Sequence, residues 1–69
     1  MKISGRNKIK GKVIKATPGV VSAEVEIDAG NGIRLVGLIT KGSLDDLDIK
    51  EGDEVTALVK ATSVMFIKE

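Results

Sequence analysis

The sequence predicts an all-β fold, a small five-stranded barrel with one short helix between strands 3 and 4. Apolar residues recur at every second position along most of the chain, which is the period of half-buried strands. The turn-forming pairs Pro18-Gly19 and Asn31-Gly32 separate such segments. Residues 43–49 instead space their leucines as a helix does. With 69 residues, the chain has room for a single domain, 1–69.

The first three strands are predicted between residues 8 and 40. Residues 8–13 alternate lysine with apolar residues or glycine, which gives the first strand one basic face. Residues 21–27 alternate Val, Ala, Val and Ile with Ser and Glu, and form the clearest strand of the chain. Asn31-Gly32 is a strong signal for a two-residue hairpin. Residues 33–40 are apolar on both faces, as expected of a strand covered on each side.

The second half of the chain is predicted to hold the helix and two further strands. Ser43 is a favourable N-cap, and acidic residues follow it where the helix dipole favours them. A turn at 50–53 leads into a fourth strand at 55–61, and a short fifth strand covers 63–67. This order of elements is that of the OB-fold, although the spacing also suits an SH3-like barrel.

The composition disfavours several functional classes. The chain has no Cys and no His, so disulfides, the common zinc sites and catalysis by either residue are excluded. Phe66 is the only aromatic residue, whereas proteins that bind single-stranded nucleic acid need several aromatic side chains on which the bases stack. No apolar run has the length of a membrane span or of a signal-peptide core. We therefore expect a cytoplasmic protein that is not an enzyme, has no cofactor and binds neither nucleic acid nor membrane.

The chain's size and its charge distribution bear on self-association. A domain this small has a marginal core, and subunit association is a common source of added stability. The net charge is +1, but residues 1–15 hold six basic side chains and no acid. Residues 45–54 hold six acids and only Lys50 as a base. These segments are either solvated faces or complementary surfaces between copies.

Three segments are rich in hydrogen-bond donors. They are Ser4-Gly5-Arg6-Asn7, Thr40-Lys41-Gly42-Ser43 and Lys60. Taken singly, each segment has a simpler interpretation. The first can be a polar N-terminal segment without a partner, the second a helix cap and the third a solvated lysine of a strand. Together they supply three positive charges, hydroxyls and backbone amides with no acid among them, which suits a tetrahedral dianion.

The same segments resemble a known family. Ser4-Gly5-Arg6-Asn7, Ile39-Thr40-Lys41-Gly42-Ser43 and Val59-Lys60-Ala61-Thr62 are similar, in order and spacing, to the molbindins. These are small molybdate- and tungstate-binding proteins built from a single Mop domain, which is related to TOBE domains. The resemblance covers essentially the whole chain. It departs at Gly42, a position that is often acidic in relatives, and at Gly5, which is often Ala.

The resemblance implies an OB-like fold assembled as a homo-hexamer, a trimer of dimers, with oxyanion sites between subunits. One chain would contribute the side chains of Ser4, Arg6 and Lys60. The backbone of Gly5 and Ala61 would assist them. A neighbouring chain would add the hydroxyls and amides of one segment: Thr40, Lys41, Gly42 and Ser43. The implied role is intracellular molybdenum storage or homeostasis, and the alternative is an OB-like structural or regulatory module without a specific oxyanion ligand.

Overall fold

The computed structural model describes residues 7–68 of the chain. Four strands, one short helix and one 3-10 turn follow one another in this order: β1 Asn7–Pro18, β2 Ser22–Gly30, β3 Ile33–Thr40, α1 Lys41–Asp46, β4 Glu54–Val59 and the 3-10 turn Ala61–Ser63. The all-β class and the position of the helix between strands 3 and 4 are as the sequence predicts.

The four strands form one antiparallel sheet in the order β3-β2-β1-β4. β1 is the long central strand, pairing with β4 through its first half and with β2 through its second half. The register between β1 and β2 shifts between Val13 and Lys15. Such a bulge bends a strand and increases its twist, which allows one sheet to curl around its own core.

The inner face of this curled sheet holds the buried core. Five hydrophobic residues among those described are buried: Val13, Ala23, Val25, Ile27 and Leu44. Gly11 belongs to the same face, where a Cβ would lie 2.9 Å from both the Asp28 carbonyl oxygen and Ile27 Cδ1. Glycine therefore lets β1 and β2 approach closely, which explains the break in the apolar alternation.

The helix begins earlier than the sequence predicts. α1 starts at Lys41, and its N-cap is Thr40, whose side chain accepts a hydrogen bond from the Ser43 backbone N–H. Leu44 packs into the core, whereas Leu47 lies at the C-cap and is 68% exposed. The prediction of Ser43 as the N-cap is wrong because Thr40, at the end of β3, already fills that role.

The fifth strand is absent from residues 7–68. After β4 the chain enters the 3-10 turn, in which the Ser63 N–H donates to the Lys60 carbonyl at 2.9 Å. The Val64 N–H donates to the Ala61 carbonyl at 3.3 Å. These bonds carry the chain away from the ladder that β4 forms with β1, so residues 64–67 pair with no strand in the described part of the chain.

In the part of the chain that the structure covers, no helix is both long and apolar enough to cross a membrane.

Candidate functional site

The first donor-rich segment, Thr40 to Ser43, lies where β3 passes into α1. Thr40 Oγ1 accepts from the Ser43 N–H at 3.0 Å and donates to Ser43 Oγ at 2.8 Å. A hydroxyl that accepts one bond still has its own proton to donate. The Ser43 hydroxyl is thus held in place with a proton available for an external acceptor.

The backbone amides of this segment differ in availability. The Lys41 N–H donates to the Val21 carbonyl at 2.9 Å, so it is already engaged within the fold. The Gly42 N–H has no acceptor within residues 7–68, as expected for the first turn of a helix. The Lys41 ammonium pairs with Asp45 Oδ2 at 3.1 Å. Among residues 7–68, the Gly42 N–H and the Ser43 hydroxyl are the donors of this segment that have no acceptor.

The second donor group lies just after β4. Lys60 is exposed and is the N-cap residue of the 3-10 turn. No carboxylate of residues 7–68 lies within salt-bridge distance of its ammonium. The Ala61 N–H, at the start of the turn, likewise has no backbone acceptor among the described residues. A cation and an amide therefore lie side by side without an anionic partner in this part of the chain.

The third segment, Ser4, Gly5 and Arg6, lies outside the described residues. Arg6 adjoins Asn7, and Asn7 is the partner of Val59, the residue before Lys60.

The segments around Thr40 and Lys60 lie at opposite ends of the sheet. Thr40 pairs with Ser22, beside the C-terminal end of β1. Lys60 directly follows Val59, which pairs with Asn7 at the N-terminal end of β1. The 12 residues of β1 separate these ends by a contour of about 36 Å at the usual rise per residue. One chain therefore does not bring both donor groups to the same anion.

The acidic residues do not offer a second kind of site. Asp45 pairs with Lys41, and Asp48 Oδ2 lies 3.3 Å from the Lys50 ammonium. Within the described ranges, no group of three or more acidic side chains could hold a metal ion. These carboxylates are exposed partners of nearby lysines rather than metal ligands.

The cap of α1 gives a testable consequence for stability. We expect Thr40→Val to lower the free energy of unfolding by about 1 kcal/mol, because the Ser43 N–H loses its acceptor while the side-chain shape is kept. Thr40→Ser retains the hydroxyl, so its free energy of unfolding should fall by only a few tenths of that amount. Urea denaturation at one fixed protein concentration measures both. Equal losses in the two variants would show that the hydroxyl does not stabilise the helix.

Comparison with known proteins identifies the family. The TOBE domain family model matches residues 3–66. Molybdenum-pterin-binding protein 3 of Clostridium pasteurianum is 43% identical over 67 residues, which cover 97% of this chain and 98% of that protein. The solved structure of a molybdate-binding protein from Sporomusa ovata is 48% identical, with a TM-score of 0.91 over 99% of this chain and 100% of that chain.

A further solved structure is larger. It is the cytoplasmic molybdate-binding protein ModG with molybdate bound, which is 46% identical and has a TM-score of 0.82. The match covers 88% of this chain and 43% of that one. The matches to chains of similar length leave no large region of this sequence unaccounted for. The chain therefore belongs to the TOBE-domain family, and within it to the small Mop proteins, the molbindins.

Proposed function

We propose that this protein binds molybdate or tungstate at sites between the subunits of a homo-oligomer, in a storage or homeostasis role in the cytoplasm. The observation that carries the proposal is the separation of two donor groups to opposite ends of β1. Each group alone supplies half of the shell of ligands around the anion, and a second copy of the chain supplies the other half. The molybdate-binding relatives support the choice of anion.

The shell has the right charge for this ligand. Lys60 and Arg6 of one chain supply two positive charges, which match a dianion. The Ala61 and Gly5 amides lie beside them in the sequence. A charge removed from water must have most of its lone pairs satisfied by hydrogen bonds, and charged donors make the strongest ones. Two cations with adjacent amides meet much of that demand from one side of the anion.

The neighbouring chain completes the shell from the other side. The Ser43 hydroxyl proton and the Gly42 N–H are both free within the described fold. Thr40 holds the Ser43 side chain at 2.8 Å and so orients it before the ligand arrives. Donors fixed in advance lose little conformational entropy on binding. Neutral donors add contacts without a third positive charge, which keeps the shell matched to a dianion.

The proposed assembly is a hexamer built as a trimer of dimers. A chain of 69 residues without disulfides has a small core, and association adds buried surface that the single chain lacks. An anion held between subunits stabilises the assembly by mass action, because it binds the assembled state and not the separate chains. The role is binding rather than catalysis: the donors described above hold an anion and offer no nucleophile activated by a base.

The two arginines of the chain provide a matched test. We expect Arg6→Ala to weaken molybdate binding by about 100-fold, since a charged hydrogen-bonding partner of the anion is lost. Arg34→Ala is the control, because Arg34 is an exposed partner of Glu26 at 3.5 Å on the outer face of the sheet. Isothermal titration calorimetry with molybdate, and circular dichroism for the fold, measure both variants.

The result separates the proposed function from the alternative. A loss of binding in Arg6→Ala with the fold and the Arg34→Ala affinity unchanged supports the oxyanion site. If the unsubstituted protein takes up no molybdate, the chain is an OB-like assembly module instead. If both variants bind as tightly as the unsubstituted protein, Arg6 is not a ligand of the anion.

A further inference from the structure

Lys41 is the third cation of the donor-rich segments, and its charge is already paired within the chain. Its ammonium lies 3.1 Å from Asp45 Oδ2, four residues further along α1. Its backbone N–H is engaged as well, by the Val21 carbonyl at 2.9 Å. The next residue, Gly42, has a backbone N–H without an acceptor in residues 7–68. A neutralised cation therefore lies directly beside the free donors of its segment.

This ion pair is poorly placed to stabilise the helix. Lys41 is the first residue of α1, and Asp45 is the fifth of its 6 residues. The helix dipole favours acids in the first turn and bases in the last, and an acid that precedes its base is the better order for a pair four residues apart. Both preferences are reversed here. The two side chains are also 45% and 63% exposed, and exposed ion pairs contribute little to stability.

The pair does determine the charge next to the proposed anion. An anion that accepts hydrogen bonds from the Gly42 N–H and the Ser43 hydroxyl lies within two residues of Lys41 along the chain. A lysine ammonium is a point charge on a flexible four-carbon stem, so an unpaired Lys41 can reach such an anion. In the structure the ammonium is instead held by a carboxylate one turn further along α1.

We propose that Asp45 limits the affinity of the oxyanion site by holding the Lys41 ammonium away from the anion. This inference rests on the proposed function and concerns the regulation of that same site. Asp45 is a positioning residue, because it acts only through Lys41. With Lys41 neutralised, the shell presents the two positive charges of Arg6 and Lys60, which match a dianion.

The restraint of Lys41 has a consequence for release of the anion. A protein that stores an anion must also give it up, and differences in affinity between closely related sites lie mostly in the dissociation rate. A third cation in the shell would bind the dianion more tightly and slow its release. The Asp45 carboxylate therefore keeps binding reversible.

Asp46 provides a matched control on the same helix. It follows Asp45 directly and is exposed, and no base of residues 7–68 lies within salt-bridge distance of its carboxylate. Asp45→Asn and Asp46→Asn change the net charge by the same amount at neighbouring positions. The overall field of the protein therefore changes nearly equally in the two variants, whereas only Asp45→Asn releases Lys41.

Isothermal titration calorimetry with molybdate tests the inference. We expect Asp45→Asn to bind about five-fold more tightly than the unsubstituted protein. Asp46→Asn should differ from it by less than about two-fold. Adding Lys41→Met to Asp45→Asn should abolish the gain, and Asp45→Glu, which keeps a carboxylate, should show none. Urea denaturation accompanies each titration, because a merely structural role of Asp45 predicts lower stability and weaker binding in Asp45→Asn.

Three results would overturn the inference: weaker binding in Asp45→Asn, equal affinities in Asp45→Asn and Asp46→Asn, or a gain that persists after Lys41→Met. If the unsubstituted protein takes up no molybdate, the proposed function fails, and this inference fails with it. If Arg6→Ala loses affinity while Asp45→Asn binds like the unsubstituted protein, the proposed function stands and this inference alone is overturned.

Discussion

Lys60→Met is expected to weaken molybdate binding by about 100-fold, equivalent to about 2.7 kcal/mol. Methionine keeps most of the length and apolar character of the lysine side chain, so the change removes chiefly the charge and its hydrogen bonds. Hydrogen bonds to charged groups contribute about 1.5–3 kcal/mol. Lys60 has no carboxylate partner in the described part of the chain, so no internal ion pair is broken by the substitution.

Lys15→Met is the matched control for this prediction. Lys15 is an exposed lysine of β1 opposite Glu26, at the position where the register shifts. It changes the net charge by the same amount and is not part of the proposed shell. Isothermal titration calorimetry at two salt concentrations measures both variants. Equal losses of affinity in the two would mean that lysines act through the overall field of the protein, and Lys60 would then not be a ligand.

Ile27→Ala is expected to lower the free energy of unfolding by about 3 kcal/mol. Ile27 is 4% exposed, and its side chain lies against Gly11, where a Cβ would have no room. Only five buried hydrophobic residues are described, and a core of this size supplies about 3–5 kcal/mol in all. The variant should therefore keep only about 0–2 kcal/mol of stability and be marginally folded at ambient temperature.

Val36→Ala is the control for the core. Val36 lies across from Glu26 on β3, on the outer face, and is 59% exposed. We expect Val36→Ala to lower the free energy of unfolding by less than about 1 kcal/mol if the outer face of the sheet is exposed to water. Urea unfolding followed by circular dichroism, at one fixed protein concentration, compares the two variants. An Ile27→Ala variant as stable as the unsubstituted protein would contradict the assignment of the core.

Local patterns were sufficient to predict the all-β class, the first strands and the place of the helix. The strict alternation in residues 21–27 corresponds to β2, whose apolar members Ala23, Val25 and Ile27 are all buried. The Asn31-Gly32 pair forms the β2–β3 turn with positive φ at both residues, 53° and 78°. These features depend on a few neighbouring residues, and the sequence contains them directly.

The features that the sequence did not predict depend on where neighbouring elements end and on contacts distant along the chain. Thr40 rather than Ser43 caps α1, since β3 continues up to the helix and leaves the Thr40 hydroxyl facing its first turn. The Lys41 amide is engaged by Val21, a residue twenty positions earlier. The fifth strand was predicted over 63–67, whereas the chain there follows the 3-10 turn Ala61–Ser63 and pairs with no strand in the described part of the chain.

The donor residues of the proposed site stay a prediction from the sequence, to which the strand register adds the placement of two segments. Donor-rich segments can be recognised by residue type, and the family resemblance groups them into one shell. The register of β1 adds that Thr40 and Lys60 lie at opposite ends of the sheet. That separation follows from the pairing of strands across the sheet, which cannot be predicted from any short segment of the sequence. It also turns the proposal of shared sites into one that mixing of chains can test.

Mixing two deficient chains is the most direct test of a site shared between subunits. One chain carries Lys60→Met and the other carries Thr40→Val with Ser43→Ala, so each retains the half of the shell that the other lacks. The two are unfolded together at equal amounts and refolded, and calorimetry then counts high-affinity molybdate sites. Random assembly predicts that about a quarter of the sites regain the affinity of the unsubstituted protein. If Lys60 and Thr40 act within one chain, the mixture will show no high-affinity sites, as will either variant alone.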